Sequence, residues 1–169
     1  QLSVHPPPAI RCSLLTSPDA VTRTPESIAK TWRILTPLVQ TAGRIERRFT
    51  RARQENRAAL IAYLTAGDPS PEFTPHLVAA LERGGADIIE LGVPFSDPIA
   101  DGPIIQRGSE RALSAGTTLR DVLNIARRIR ERSDVPMVLF TYLNPVVRYG
   151  FDALAREAKS SGIDGCLLT

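Results

Sequence analysis

Ala86-Asp-Ile-Ile-Glu-Leu-Gly-Val-Pro-Phe-Ser-Asp-Pro-Ile-Ala-Asp-Gly-Pro103 is the stretch that decides the fold. Its first part, Ala86 to Val93, has the Ile, Leu and Val content of a strand buried on both faces, as in a parallel sheet covered by helices. Glu90 interrupts this run, and a carboxylate there is costly unless it is paired or used. A carboxyl group held in apolar surroundings is suited to giving and taking a proton near neutral pH. The pattern equally fits a structural glutamate neutralised by an arginine or lysine from elsewhere in the fold. Eleven residues on, Asp101 supplies a second carboxylate. Its loop is stiffened by Pro94, Pro98 and Gly102-Pro103, which continue neither a strand nor a helix. Asp97 and Asp101 also suit a plain turn, or the N-cap of a helix from about Ile104.

Outward from this block the chain alternates strand and helix patterns. Strands are expected at about Ala59 to Thr65, Asp87 to Val93, Pro136 to Tyr142 and Asp164 to Leu168. Helices are expected at about Pro71 to Arg83, Ile104 to Ser114, Leu119 to Arg132 and Asp152 to Ser160. Gly84-Gly85 reads as a helix stop, and Thr118 followed by Asp121 as a helix start. Such repetition predicts an α/β fold with parallel pairing and right-handed crossovers.

The net charge of +3 is unevenly spread. Up to Arg57 there are ten Lys/Arg against four Asp/Glu, a balance of +6, and beyond it eleven against fourteen, a balance of −3. Arg44, Arg47, Arg48 and Arg51 share one face of a helical pattern opposite Ile45, Phe49 and Ala52. This predicts an N-terminal amphipathic helix capping the sheet rather than a nucleic-acid helix, since aromatic interleaving is weak and no binding module accompanies it. No run is long or apolar enough for a membrane span. Cys12 and Cys166, the latter in an expected buried strand, form neither a disulfide framework nor a metal motif, and the expected setting is a reducing cytoplasm. His5 and His76 stand apart from any nucleophile.

Leu60-Ile-Ala-Tyr-Leu-Thr-Ala-Gly-Asp-Pro69, Gly85 to Gln106, Phe140-Thr-Tyr-Leu-Asn-Pro-Val146 and Gly162-Ile-Asp-Gly-Cys-Leu-Leu168 together resemble the tryptophan synthase alpha subunit family, from about Arg44 to Thr169. The resemblance implies a (β/α)8 TIM barrel and an aldol-type cleavage of indole-3-glycerol phosphate to indole and glyceraldehyde 3-phosphate, without metal or organic cofactor. Glu90 matches the catalytic glutamate that protonates the indole ring carbon. Asp101 matches the second carboxylate, which accepts a hydrogen bond from the indole N–H. Tyr63 and Phe140 match positions lining the indole pocket, with Tyr142 close by, although each also suits ordinary barrel core. Pro94 and Asp97 resemble residues that couple the subunit to its beta partner, and Asn144 is assigned to the same surface.

A complete barrel of this kind takes about 250 residues, whereas the sequence has 169 and four expected strands. The expectation is therefore a partial TIM barrel, its first four β/α units at residues 43–169, lacking the phosphate-binding loops of the later strands. Such a chain is expected to be inactive alone, and its open sheet edges to favour aggregation. Residues 1–42 match nothing in the family and are Pro, Ser and Thr rich, which predicts a disordered extension with at most a short helix near Ser27 to Leu35. Two alternatives stand beside the enzyme reading: another phosphate-binding TIM-barrel enzyme, and a non-catalytic fragment that keeps a beta-subunit surface.

Overall fold

A computed structural model describes residues 43–169; the expected extension at residues 1–42, with His5, Cys12 and the helix near Ser27, lies outside the described residues. Four strands, β1 (Ile61–Thr65), β2 (Ile88–Gly92), β3 (Met137–Thr141) and β4 (Gly165–Leu168), form one parallel sheet in chain order. Around it run α1 (Arg44–Gln54), α2 (Thr74–Arg83), α3 (Pro103–Ser114), α4 (Leu119–Arg130), α5 (Leu143–Tyr149) and α6 (Phe151–Ser160). This is the α/β organisation expected, with the strands in barrel order.

Register assigns each strand residue to a face. Tyr63 pairs with Glu90, Glu90 with Val138 and Val138 with Gly165, so these four positions form one row across the sheet. Residues one step off that row point the other way: Ile89, Leu91, Met137 and Leu139 are fully buried there. They pack with Val122, Leu123, Ala126 and Ile129 of α4 and Val78 of α2, forming the hydrophobic core. At about 25 cal/mol per Å² of apolar surface removed from water, this helix-facing layer is the main stabilising force.

The run Ala86 to Val93 is buried on both faces, as expected, except at Glu90, while the face that carries Glu90 is less covered on the outer strands. Ile88 is buried, but Glu90 is half-buried, and Ile61 on the same face is 45% exposed. Cys166, expected inside, is also exposed, because β4 has β3 on one side and no further strand on the other among the described residues. Leu167 and Leu168 are exposed on that same strand, as expected for an open edge.

The helix boundaries follow local chemistry. Thr118 and Asp121 make the reciprocal capping box expected of them: Thr118 N–H donates to the Asp121 carboxylate and Asp121 N–H to Thr118 Oγ1. Gly84 caps α2, and Gly85 follows at φ +98°, a conformation that glycine adopts without steric cost. α2 starts at Thr74 rather than Pro71, with Thr74 Oγ1 accepting the N–H of Gly67. Helix α5 was not foreseen, since Asn144-Pro145 reads as a turn; Pro145 instead falls in the first helical turn, where no intrahelical donor is lost.

Helix α1 lies against the N-terminal ends of the strands. Arg44 bonds to Asp134 at 3.2 Å and Asp164 at 3.1 Å, both in loops leading into strands, and Arg48 approaches Glu82 at the end of α2. The four arginines are thus not a uniformly solvated stripe: Arg44 and Arg48 are half-buried, whereas Phe49 on the apolar side is exposed. Arg57, just past α1, grips Asp87 with both terminal nitrogens, at 2.6 and 2.9 Å.

Candidate active site

The C-terminal ends of β1, β2 and β3 gather the residues expected to do chemistry. Glu90 sits mid-strand beside Tyr63 of β1. One step toward the C-terminal end, Gly92 pairs with Phe140. Tyr63 leans across this corner: its ring meets that of Phe140 edge to face, with centroids 5.5 Å apart at 81°. A side chain at position 92 would collide with the Tyr63 ring, so glycine there is what lets the tyrosine cross the face. The Tyr63 hydroxyl reaches Thr65 Oγ1 at 3.4 Å.

Asp101 arrives from the β2–α3 loop. The loop residues Pro98 to Asp101 form a turn in which Asp101 N–H donates to the Pro98 carbonyl at 3.0 Å. Tyr142, the residue before α5, is buried, stacks on Phe95 with centroids 5.1 Å apart, and accepts the Ala100 N–H on its hydroxyl at 3.0 Å. It therefore buttresses the loop as well as facing the site. Burial raises the pKa of Tyr63, and the negative charges of Asp101 and Glu90 add to that effect. Burial likewise raises that of Tyr142, with Asp101 again contributing. Both tyrosines therefore stay protonated near neutral pH.

Tyr63, Glu90, Asp101, Phe140 and Tyr142 thus gather between the middle of the sheet and the C-terminal ends of its strands, although up to 79 residues separate them in sequence. Two carboxylates bordered by three aromatic rings suit a flat aromatic ligand that must gain and lose protons. Among the described residues, no group of three or more His, Cys, Asp or Glu is arranged to hold a metal ion.

The three residues assigned to a partner surface separate. Asp97 and Asn144 are exposed and line one shallow depression with Phe95, Ser96, Val147 and Arg148. Pro94 is buried at the root of the loop and lines a neighbouring depression with Phe95, Ser96, Pro145 and Arg148. Inspection of the sequence also missed Gln106. Its Nε2 donates to the Asp101 carbonyl at 2.9 Å and lies 3.4 Å from that of Pro98. Nothing local in Pro103-Ile-Ile-Gln-Arg-Gly108 signals this contact, which depends on how the loop folds back over the helix start.

The family profile for tryptophan synthase alpha chain matches residues 49–169. The alpha chain of Solibacter usitatus is 71% identical over 126 residues, covering 75% of this chain and 47% of that protein. The alpha chain of Burkholderia thailandensis is 55% identical over 126 residues, covering 74% and 46% respectively. Among solved structures, the Legionella pneumophila alpha subunit superposes with a TM-score of 0.73 at 44% identity, covering 75% of this chain and 49% of that one. A Mycobacterium tuberculosis tryptophan synthase structure superposes at 0.71 with 43% identity, covering 75% and 51%. The chain spans about half the length of the curated relatives it matches. With the strands in barrel order and the profile running through all four of them, the chain belongs to the tryptophan synthase alpha chain family.

Proposed function

We propose that this chain supplies the acid/base portion of the site that cleaves indole-3-glycerol phosphate to indole and glyceraldehyde 3-phosphate in tryptophan biosynthesis. The observation that carries this reading is the grouping of Glu90 and Asp101 with the rings of Tyr63, Phe140 and Tyr142 between the middle of a parallel sheet and the C-terminal ends of its strands. Glu90 delivers a proton to the ring carbon and assists loss of a proton from the side-chain hydroxyl. The carbon–carbon bond then breaks, and its electron pair returns to the ring. Asp101 accepts the indole N–H and stabilises the positive charge that ring protonation creates. Proton transfer of this kind contributes about 10²- to 10⁴-fold to rate and needs neither metal nor organic cofactor.

Residues 43–169 act as the N-terminal half of a barrel domain, and the substrate phosphate falls to loops of later strands, as in barrels of this type. Residues 43–169 by themselves, without such loops, do not turn over the substrate. A beta subunit docks over the rim formed by Asp97 and Asn144, giving a cytoplasmic heterotetramer. Neither nucleic acid nor a membrane is a partner; no helix among the described residues is long and apolar enough to cross one.

The test is a chimaera that joins residues 43–169 to the second half of the Solibacter usitatus relative, assayed for indole release from indole-3-glycerol phosphate. Activity is expected, with Glu90→Gln and Asp101→Asn each lowering kcat about 10²-fold or more. A folded chimaera that binds a beta subunit yet releases no indole would overturn the catalytic reading in favour of an interaction fragment.

A further inference from the structure

We infer that Gln106 is a positioning residue for Asp101, holding the loop that carries this carboxylate through its backbone. The inference rests on the functional reading above for what Asp101 does, and on geometry alone for what Gln106 does.

The loop has little else to fix it. Ser96, Asp97, Ile99 and Ala100 are exposed, Ile99 by 91%. Its internal bonds are short-range, Ile99 N–H to the Asp97 carbonyl and Asp101 N–H to the Pro98 carbonyl. Two side chains reach in from rigid elements. Tyr142 takes the Ala100 N–H from the β3 side. Gln106 takes the Asp101 carbonyl and approaches that of Pro98 from the helix side, so a single carboxamide bridges both ends of the turn. Both contacts are carbonyl oxygens, so the amide must turn its NH2 group toward them and its oxygen away.

Gln106 is itself well anchored. Its N–H donates to the Gly102 carbonyl, closing the first turn of α3. Further along, Arg111 pairs with Asp68 through two 2.8 Å bonds, tying α3 to the loop after β1. Gly108 lies so close to Thr65 and Asp68 that a Cβ there would come within 3.1 to 3.2 Å of their oxygens. The helix is thus held against β1, and Gln106 transmits that fixed position to the backbone of Asp101. A carboxylate that must meet an indole N–H needs this, since a misplacement of about 1 Å can cost about 10²-fold in rate.

Two variants test it. Gln106→Met keeps the volume and removes the donor. Hydrogen exchange at the Ala100 and Asp101 amides of the 169-residue chain should rise about 10-fold or more. In the chimaera, kcat should fall about 10- to 100-fold with KM changed less than about threefold. Gln106→Glu cannot donate when ionised but regains one donor when protonated, so its activity relative to the parent should recover as pH falls through the carboxylate range, from about 6.5 to about 4. Simple packing by Gln106 would leave the Met variant near the parent and the Glu variant without that recovery. Unchanged exchange in the Met variant overturns the inference. Faster exchange in a chain whose parent chimaera makes no indole overturns the catalytic reading and leaves the clamp standing. Should the Met variant not fold, the pH response of the Glu variant decides.

Discussion

Replacing Asp87 with Asn removes the charge that closes the connection between α1 and β1, and the structure says how much this should cost. The Asp87 side chain is 2% exposed and accepts three hydrogen bonds: Arg57 Nη1 at 2.6 Å, Arg57 Nη2 at 2.9 Å and Leu60 N–H at 2.9 Å. The Arg57 bonds, helped by the Leu60 amide and opposed by burial, pull its pKa from 3.8 down to about 2. At about 1.4 kcal/mol per pKa unit the shift corresponds to roughly 2.5 kcal/mol. Arg57 is 38% exposed, so solvent screens the pair, and about 1 to 2 kcal/mol is the reasonable expectation. That is a fall of roughly 3 to 8 °C in Tm for a domain of this size. The carboxyl pKa is lower in the folded than in the unfolded state, so the stabilisation is complete above about pH 4 and is lost as pH falls toward about 2. Urea denaturation followed by circular dichroism should show a gap between parent and Asp87→Asn near pH 6.5 that closes by about pH 2. A gap of the same size at both ends, or none at neutral pH, would refute the assignment of Asp87 as an ionised anchor.

Two further substitutions probe other parts of the fold. Gly92→Ala places a methyl group against the Tyr63 ring and should cost about 1 to 3 kcal/mol by overpacking, with an unchanged Tm showing that the ring does not cross Gly92. Thr118→Ala removes the cap of α4, the helix that contributes most to the core, and should lower stability by about 1 kcal/mol in the same denaturation assay.

Much of this architecture was legible in the sequence, because strands and helices are written in short-range patterns. Alternation and apolar runs located all four strands, and Thr118 with Asp121 marked a helix start that the capping box then made. Helix α5 escaped because Asn144-Pro145 carries a local turn signal that tertiary packing overrode, with Val146 buried in the core. Cys166 was misjudged for a related reason, since its apolar surroundings in sequence say nothing about which edge of the sheet it occupies.

The candidate site divides in the same way. A carboxylate inside an apolar run drew attention to Glu90 by residue type, whereas Asp101, which also suits a plain turn, stood out from Asp97 only through the family likeness. That Tyr63 leans over Gly92 toward Phe140, and that Tyr142 holds the loop by its hydroxyl, were decided only by tertiary structure. So was the part of Gln106, whose amide finds the carbonyls at both ends of the turn only once α3 is pinned to β1. Local sequence sets backbone conformation through sterics and periodicity. Which side chains meet depends on strand register and helix docking across many tens of residues, and that is fixed by the packing of the whole sheet.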